Sequence, residues 1–418
     1  MRCEIVAVGT ELLLGQIVDT NSSWMGGQLA LAGIDSHFQT KVGDNLGRMV
    51  ACIRLALSRS DAVILCGGLG PTQDDITREA IAEVMGTKLV RHDEIADHIR
   101  DLFEKRGREM APSNLRQADV PEGAGIIDQM PGTAPGLVCP VGDQVIYAVP
   151  GVPHEMRTML EGTVLPDLKR RAGVTAVIKS RVMRTWGYTE SGLADLLADH
   201  IAELDRSGKA TLAFQASGIE GIKVRITAKA EDDRAVEAIL ADEEARLRAM
   251  LDEYVFGVDD QSMESVTLDL LRERGQTLAV AETITGGLAG SRLSAIPGSI
   301  DVFRGSLLSS QPEVRADLLG LPASAPLISA DAATTLAKGI RRHLGADIGL
   351  AATGIAGPDN LEGQAPGTVY LAVAASNMVD SARVMLPGDA SRVRQYAVIS
   401  LLNLLRRRLL GLRSPTVL

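Results

Sequence analysis

Aromatic residues make up only 3% of this 418-residue chain, and it has only four cysteines. Few aromatics leave few platforms on which bases could stack, and 43 Lys and Arg against 53 Asp and Glu give a formal charge of -10. A nucleic-acid surface needs concentrated cations, so nucleic acid is not an expected partner. Cys3, Cys52, Cys66 and Cys139 lie far apart, with no Cys-x-x-Cys pair for a metal or redox centre. They read as small buried hydrophobes in a reducing compartment. No uninterrupted apolar run approaches the ~20 residues that span a bilayer, and the N-terminus reads as a strand, not as a basic segment before an apolar one. No membrane partner is expected, and the cytoplasm is the expected location.

What remains is an ordinary enzyme-like composition, 45% hydrophobic and 23% charged, in a chain long enough for two or three domains. Short apolar runs at Ile5 to Val8 and Ala62 to Leu65 alternate with helical patterns at Asn21 to Ala32 and Ala51 to Leu57. Such a rhythm predicts a parallel sheet covered on both faces, with ligands at the carboxyl ends of its strands. Tyr147 to Val149 reads as the last core strand and Glu155 to Lys169 as a closing helix. From about Val174 the pattern becomes a small α+β unit: strands Ile178 to Arg184 and Gly221 to Ala230, with helices Glu190 to Leu204 and Asp233 to Leu251. Phe256 to Ser262 reads as a linker. Helix Met263 to Arg274 then opens a third α/β segment that closes on a leucine-rich helix, Ser391 to Leu410. Its basic run, Arg406 to Arg408, reads as cations favoured in a helix's last turn and not as a membrane surface. The expected domains are 1–172, 173–256 and 257–418.

The densest chemistry follows the strand at Ala62: Gly67, Gly68, Gly70, Pro71 and Thr72, then Asp74 and Asp75 at an expected helix start. Glycines let backbone N–H groups approach an anion, and a helix N-terminus favours negative charge. Thr72 and Thr77 could add hydroxyl donors. Two adjacent carboxylates would repel a bare phosphate, so they imply a bridging divalent cation. The plainer alternative is a tight turn with an aspartate N-cap. The loop after the first strand carries Gly9, Thr10 and Glu11, then Asn21; it is either a neighbour in the same crevice or a glycine turn before a helix capped by Asn21. Asp44 is a further candidate for a metal or ribose contact, or a solvated loop acid. Asn114-Leu115-Arg116-Gln117, Gly132-Thr133-Ala134-Pro135-Gly136 and the segment Pro150 to Met156, with Gly151, Pro153 and Glu155, complete the set.

Together these motifs resemble the molybdopterin-binding fold of the MoaB and MogA proteins over the first ~170 residues, and the CinA family over the whole chain, including Gly187-Tyr188-Thr189-Glu190-Ser191 in a KH-like middle domain. The resemblance implies a nucleotide pyrophosphatase that cleaves ADP-ribose with Mg, Mn or Co. Asp74 and Asp75 would be catalytic, with Asp44, Asp74, Asp75 and Glu155 as metal ligands. Other adenosine dinucleotides and NAD derivatives are conceivable substrates. A binding module without turnover is the alternative, and two-fold assembly is the expected oligomer.

The last domain carries Ala281-Glu282-Thr283-Ile284-Thr285-Gly286-Gly287 and Thr353-Gly354, similar to the CinA C-terminal domain, whose active members deamidate nicotinamide mononucleotide (NMN). There the family usually has a serine nucleophile and a lysine base; here the matching positions are Thr283 and Arg315, and the usual upstream tyrosine is Ser310. Arginine stays protonated and cannot accept a proton, so the resemblance implies a weak or absent deamidase. The alternative is an active NMN deamidase in NAD recycling. Gly218-Ile219-Glu220-Gly221 matches the G-x-x-G loop of KH domains formally, but Glu220 would face phosphates, so a hairpin turn is expected.

Overall fold

The structure, a computed structural model, describes residues 1–412. The chain divides into two compact units, residues 1–179 with 229–236, and residues 180–228 with 237–418.

The first unit is built on a six-stranded sheet. In chain order its strands are β1 (Cys3–Val8), β2 (Gln39–Val42), β3 (Ala62–Cys66), β4 (Gly125–Ile126), β5 (Leu137–Val141) and β6 (Gln144–Val149). They lie in the order β2-β1-β3-β6-β5-β4. All of β1 and β3 is buried, as continuous apolar runs require when helices cover both faces. The one acid in β1, Glu4, is 1% exposed and is held by the Arg59 guanidinium (2.8 and 2.7 Å) and the Thr40 hydroxyl (2.7 Å). Parallel pairing of β1 with β3 and of β3 with β6 sets Ala7, Cys66 and Val149 in one row. The loops that leave these strands therefore start side by side.

Four helices bear on the site: α1 (Thr20–Leu31), α2 (Leu46–Arg59), α3 (Thr77–Met85) and α4 (Pro153–Met159). The expected closing helix is α4 continued through a π-helical turn, Leu160–Val164, into a last helix, Leu165–Ala172. Two expected helix starts are corrected. Asn45 caps α2 by accepting from the Arg48 amide (3.1 Å), and Asp19, not Asn21, caps α1 by accepting from Ser22 (2.9 Å).

In the second unit a four-stranded sheet combines β7 (Val177–Thr185), β8 (Ala210–Ala216), β9 (Ile222–Ala230) and β10 (Val255–Val258), ordered β8-β9-β7-β10. The segment expected as a linker, Phe256 to Ser262, thus begins as a strand that runs to Val258. Gly257, which reads as a breaker in sequence, sits at a bulge in the antiparallel pairing of β10 with β7. Phe256 itself is buried in the core of the C-terminal segment.

That segment has a five-stranded sheet, β11 (Leu278–Glu282), β12 (Phe303–Leu308), β13 (Ile348–Gly354), β14 (Thr368–Ala374) and β15 (Val379–Met385), ordered β12-β11-β13-β14-β15. The first three are parallel and the last two antiparallel. The covering helices include α5 (Met263–Arg274), α6 (Leu288–Ser294), α7 (Pro312–Leu319), α8 (Ala330–His343) and α9 (Ala390–Leu409). The basic run on α9 does more than complement a helix dipole. Arg406 and Arg407 are buried. Arg406 donates to the carbonyls of Glu253 (2.6 Å) and Val255 (3.2 Å) and to Asn403 Oδ1 (3.0 Å), while Arg407 pairs with Glu253 (2.8 Å) and Arg408 with Asp380. Burial pulls the Arg406 guanidinium down to about 10.

Among the described residues no helix is long and apolar enough to cross a membrane.

Candidate functional site

At the carboxyl ends of β1, β3 and β6 the loops after β1 and β6, with Cys66 at the end of β3, line a cleft of about 200 Å³. Glu11, Asn21, Gly151 and Pro153 line it, as expected of binding residues. Asp19 and Cys66 line it as well, with the apolar pair Ile17 and Val18, which the sequence reading did not single out. Val18 is 84% exposed, an apolar lip on a polar cleft. Asn21 is no cap: its Nδ2 donates to the Gly151 carbonyl (2.7 Å), tying the first loop to the last. The Cys66 thiol, pushed up to about 12 by burial, stays neutral and is no nucleophile.

The loop from Gly67 to Asp75 flanks this cleft. Gly67 adopts φ +112, and a Cβ there would collide with the Val8 carbonyl, so only glycine lets β1 and β3 release their loops so close together. The rest of the loop is shaped from below. Arg78, wholly buried, donates to the carbonyls of Leu69 (2.6 Å) and Gly70 (2.9 Å). Gln117 adds a bond to Leu69 O (3.4 Å), and Arg116 binds Thr72 O (2.8 Å) and Glu79 (3.1 Å). The Asn114-to-Gln117 motif thus works as a brace. Arg78 itself was missed, although a signal existed: a cation in the first turn of a helix opposes the dipole and demands another reason to be there.

The aspartate pair departs from expectation. Helix α3 starts at Thr77, and neither Asp74 nor Asp75 caps it. Asp75 instead closes its own loop, accepting from the Thr72 amide (2.9 Å) and the Thr72 hydroxyl. Asp74 is exposed, and the Thr72 hydroxyl and its own backbone amide hold its carboxyl below the usual range. Thr77, expected to reach a phosphate, is buried and donates to Gly67 O (2.8 Å). Asp44 is bound by the Thr10 amide (2.8 Å) and hydroxyl (2.9 Å). Glu155, with its carboxyl raised by burial, packs where a Cβ on Gly132 would collide with it. Among the described residues no three His, Cys, Asp or Glu side chains stand together as a metal site, so Asp44, Asp74, Asp75 and Glu155 form no four-acid cage. Gly9, Thr10, Gly67, Gly68, Gly70, Pro71, Thr72 and both aspartates lie outside the lining of the cleft.

In the C-terminal segment the Thr283 hydroxyl donates to the carbonyl of Ala352 (2.8 Å), so its proton is committed to the backbone. Arg315 is 8% exposed, and its Nη1 donates to the carbonyls of Ser310 (2.8 Å) and Ser309 (3.4 Å). Thr285, Gly286 and Gly287 shape the turn: Gly286 and Gly287 take φ +65 and +92, while Thr285 donates to buried Glu282 (2.8 Å). Glu282 also accepts from the amides of Ala289 (3.0 Å) and Gly290 (2.9 Å) at the start of α6. Thr353 donates to Leu327 O (2.8 Å), and a Cβ on Gly354 would collide with Thr368 O.

A parallel α/β sheet with ligand loops at its carboxyl edge, a small α+β middle and a second α/β sheet define a modular chain. Its parts match three family models: "Probable molybdopterin binding domain" over residues 4–170, "Damage-inducible protein CinA KH domain" over 180–257 and "CinA C-terminal domain" over 260–409. A CinA-like protein of Frankia casuarinae is 46% identical over 99% of this chain and 97% of its own length. Another, of Dictyoglomus turgidum, is 39% identical over 99% and 100%. The chain belongs to the CinA family. Among solved structures, the protein CinA with unknown function from Thermoplasma acidophilum is 34% identical over 40% of this chain and 97% of its own, with a TM-score of 0.37.

Proposed function

We propose that the first unit is a metal-dependent pyrophosphatase that cleaves ADP-ribose, with water entering at phosphorus as the diphosphate P–O bond breaks to give AMP and ribose 5-phosphate. The observation that carries this reading is the cleft at the carboxyl ends of β1, β3 and β6, flanked by a glycine loop braced from beneath by a buried guanidinium. Loops rich in glycine suit close approach of backbone to phosphate oxygens. Glu11, Asn21 and the apolar lip of Ile17 and Val18 offer polar and apolar contacts to a nucleoside.

A magnesium-sized cation needs only one or two protein carboxylates when phosphate oxygens and water complete its shell. With no three-acid cluster among the described residues, such a cation would arrive with the diphosphate. Asp74 and Asp75 would hold it, and it would supply charge neutralisation at the phosphate oxygens. Thr72 orients Asp75 through two hydrogen bonds.

In the C-terminal segment we infer loss of deamidase chemistry, because the Thr283 proton is committed to a backbone carbonyl and Arg315, which donates to the Ser310 carbonyl, cannot accept a proton. Incubation of the full chain with ADP-ribose and Mg²⁺, Mn²⁺ or Co²⁺ should release AMP, and Asp74→Ala should abolish it. Saturable ADP-ribose binding without AMP would establish instead a binding module without turnover.

A further inference from the structure

The second unit contains a larger cavity, of about 540 Å³, that the proposed chemistry does not use. Its volume lies in the range of small-molecule sites, ~300–1,000 Å³. The chain has only two Trp and five Tyr, yet Trp186, Tyr188 and Tyr396 all face this space. The rings are fixed in place. Trp186 packs against Tyr396 with centroids 6.0 Å apart, and Tyr188 meets Tyr254 edge-on at 4.6 Å. Among the described residues no carboxylate, lysine, arginine or histidine lines the cavity.

A second observation is independent of the aromatics. Ser400 lies one turn after Tyr396 on α9, so the two share a face. It is 1% exposed and lines the cavity, yet its Oγ has no hydrogen-bond partner among the described residues. A helical serine can give its proton to a carbonyl one turn back, and a buried hydroxyl left without a partner is destabilising. A largely apolar, aromatic wall backed by the buried, unpartnered Ser400 hydroxyl is complementary to a flat ring with a polar edge.

We propose that this cavity binds an uncharged planar heteroaromatic ring, of the nucleobase class, stacked on Trp186 and the tyrosines and hydrogen-bonded at its edge by Ser400. Aromatic faces supply the stacking energy, and the hydroxyl supplies selection for rings with edge nitrogen or oxygen over plain hydrocarbons. Because no cation lines the cavity, phosphate groups carried by such a ligand stay outside it.

Trp24→Phe leaves Trp186 as the only indole in the full chain, so ring stacking is read directly as quenching of its fluorescence. Adenine, adenosine and AMP are the probes, which separate a free base from the base of a nucleotide; naphthalene is the hydrocarbon control. The expected result is saturable quenching by at least one base-containing probe, weakened roughly three- to tenfold by Ser400→Ala, with naphthalene binding unchanged by that substitution. Ser400→Cys, a smaller perturbation, should fall between the two. Unchanged far-UV circular dichroism would show that the variants fold. Absence of saturable quenching by every base probe overturns the proposal, as does equal affinity in Ser400→Ala. Quenching by proline-rich peptide but not by bases would also overturn it, making the cleft a peptide site.

Discussion

Arg78 offers the sharpest test of how the glycine loop is built. The substitution Arg78→Met keeps most of the volume of the side chain but removes both bonds, to Leu69 O and Gly70 O. Each is a charge-assisted bond, worth about 1.5–3 kcal/mol, and Leu69 O keeps only the long bond from Gln117. Against this, Arg78 is itself costly: burial lowers its pKa, opposed by the nearby charges of Glu79 and Asp75, so part of the lost bonding is recovered by not burying a cation. The net loss should be about 2–4 kcal/mol, out of a typical ~5–15 kcal/mol. Arg78→Lys, with a single point charge in place of a fork, should fall between Met and wild type. Thermal and urea unfolding, followed by circular dichroism, measure the loss, and ADP-ribose hydrolysis should fall with it because the loop loses its shape. A loss under ~1 kcal/mol in Arg78→Met, with hydrolysis intact, would refute the brace.

Gly70→Ala places a Cβ where the Asp75 carboxylate now lies; hydrolysis should drop by at least tenfold while unfolding changes little, and equal rates would contradict the placing of Asp75 in the site. Arg406→Met should destabilise the second unit by about 2–4 kcal/mol, since carbonyls of Glu253 and Val255 lose their donor; calorimetry reads this as a lower transition temperature. For Asp167, burial pushes the carboxyl up, but hydrogen bonds from Tyr147, Arg171 and Arg170 outweigh it and hold it below the usual value. Its contribution is therefore present above about pH 3.9 and lost as pH falls through the lower folded value. Asp167→Asn should flatten the fall in melting temperature between pH 5 and 2, and an unchanged slope would exclude the linkage. Deamidation of NMN should be undetectable in wild type and in Thr283→Ser alone. Only Thr283→Ser combined with Arg315→Lys restores both a nucleophile and a group able to shed its proton, so activity in wild type would defeat the inference.

The parallel core was legible because buried strands carry unbroken apolar runs: Ile5 to Val8 and Ala62 to Leu65 are adjacent, as the rhythm predicts. Helix Met263–Arg274 was readable from periodicity and ends on Gly275 in the left-handed region. What pattern alone could not supply was side-chain partnership. Asp74 and Asp75 read as a helix start because acids favour that place, yet Ile76, not an aspartate, takes the N-cap position before Thr77. Thr72, Thr77 and Asp44 have the right chemistry for a ligand, but Thr72 is engaged by Asp75 in its own loop, Thr77 is buried against Gly67, and Asp44 is bound by Thr10, distant in sequence. Phe256 to Ser262 has linker composition; only pairing with β7 makes part of it a strand. Local composition reports what a residue can do, and tertiary contact decides which of those capacities is used.

The arginines at the end of α9 reach back 151 positions in the chain to the Val255 carbonyl. A truncation ending before Arg406 would therefore strip a sheet edge of its clasp far upstream while leaving that edge's own sequence untouched. Expression of the middle segment alone would expose the same two carbonyls, and such a fragment should be recovered in soluble form only when the final helix is supplied alongside it.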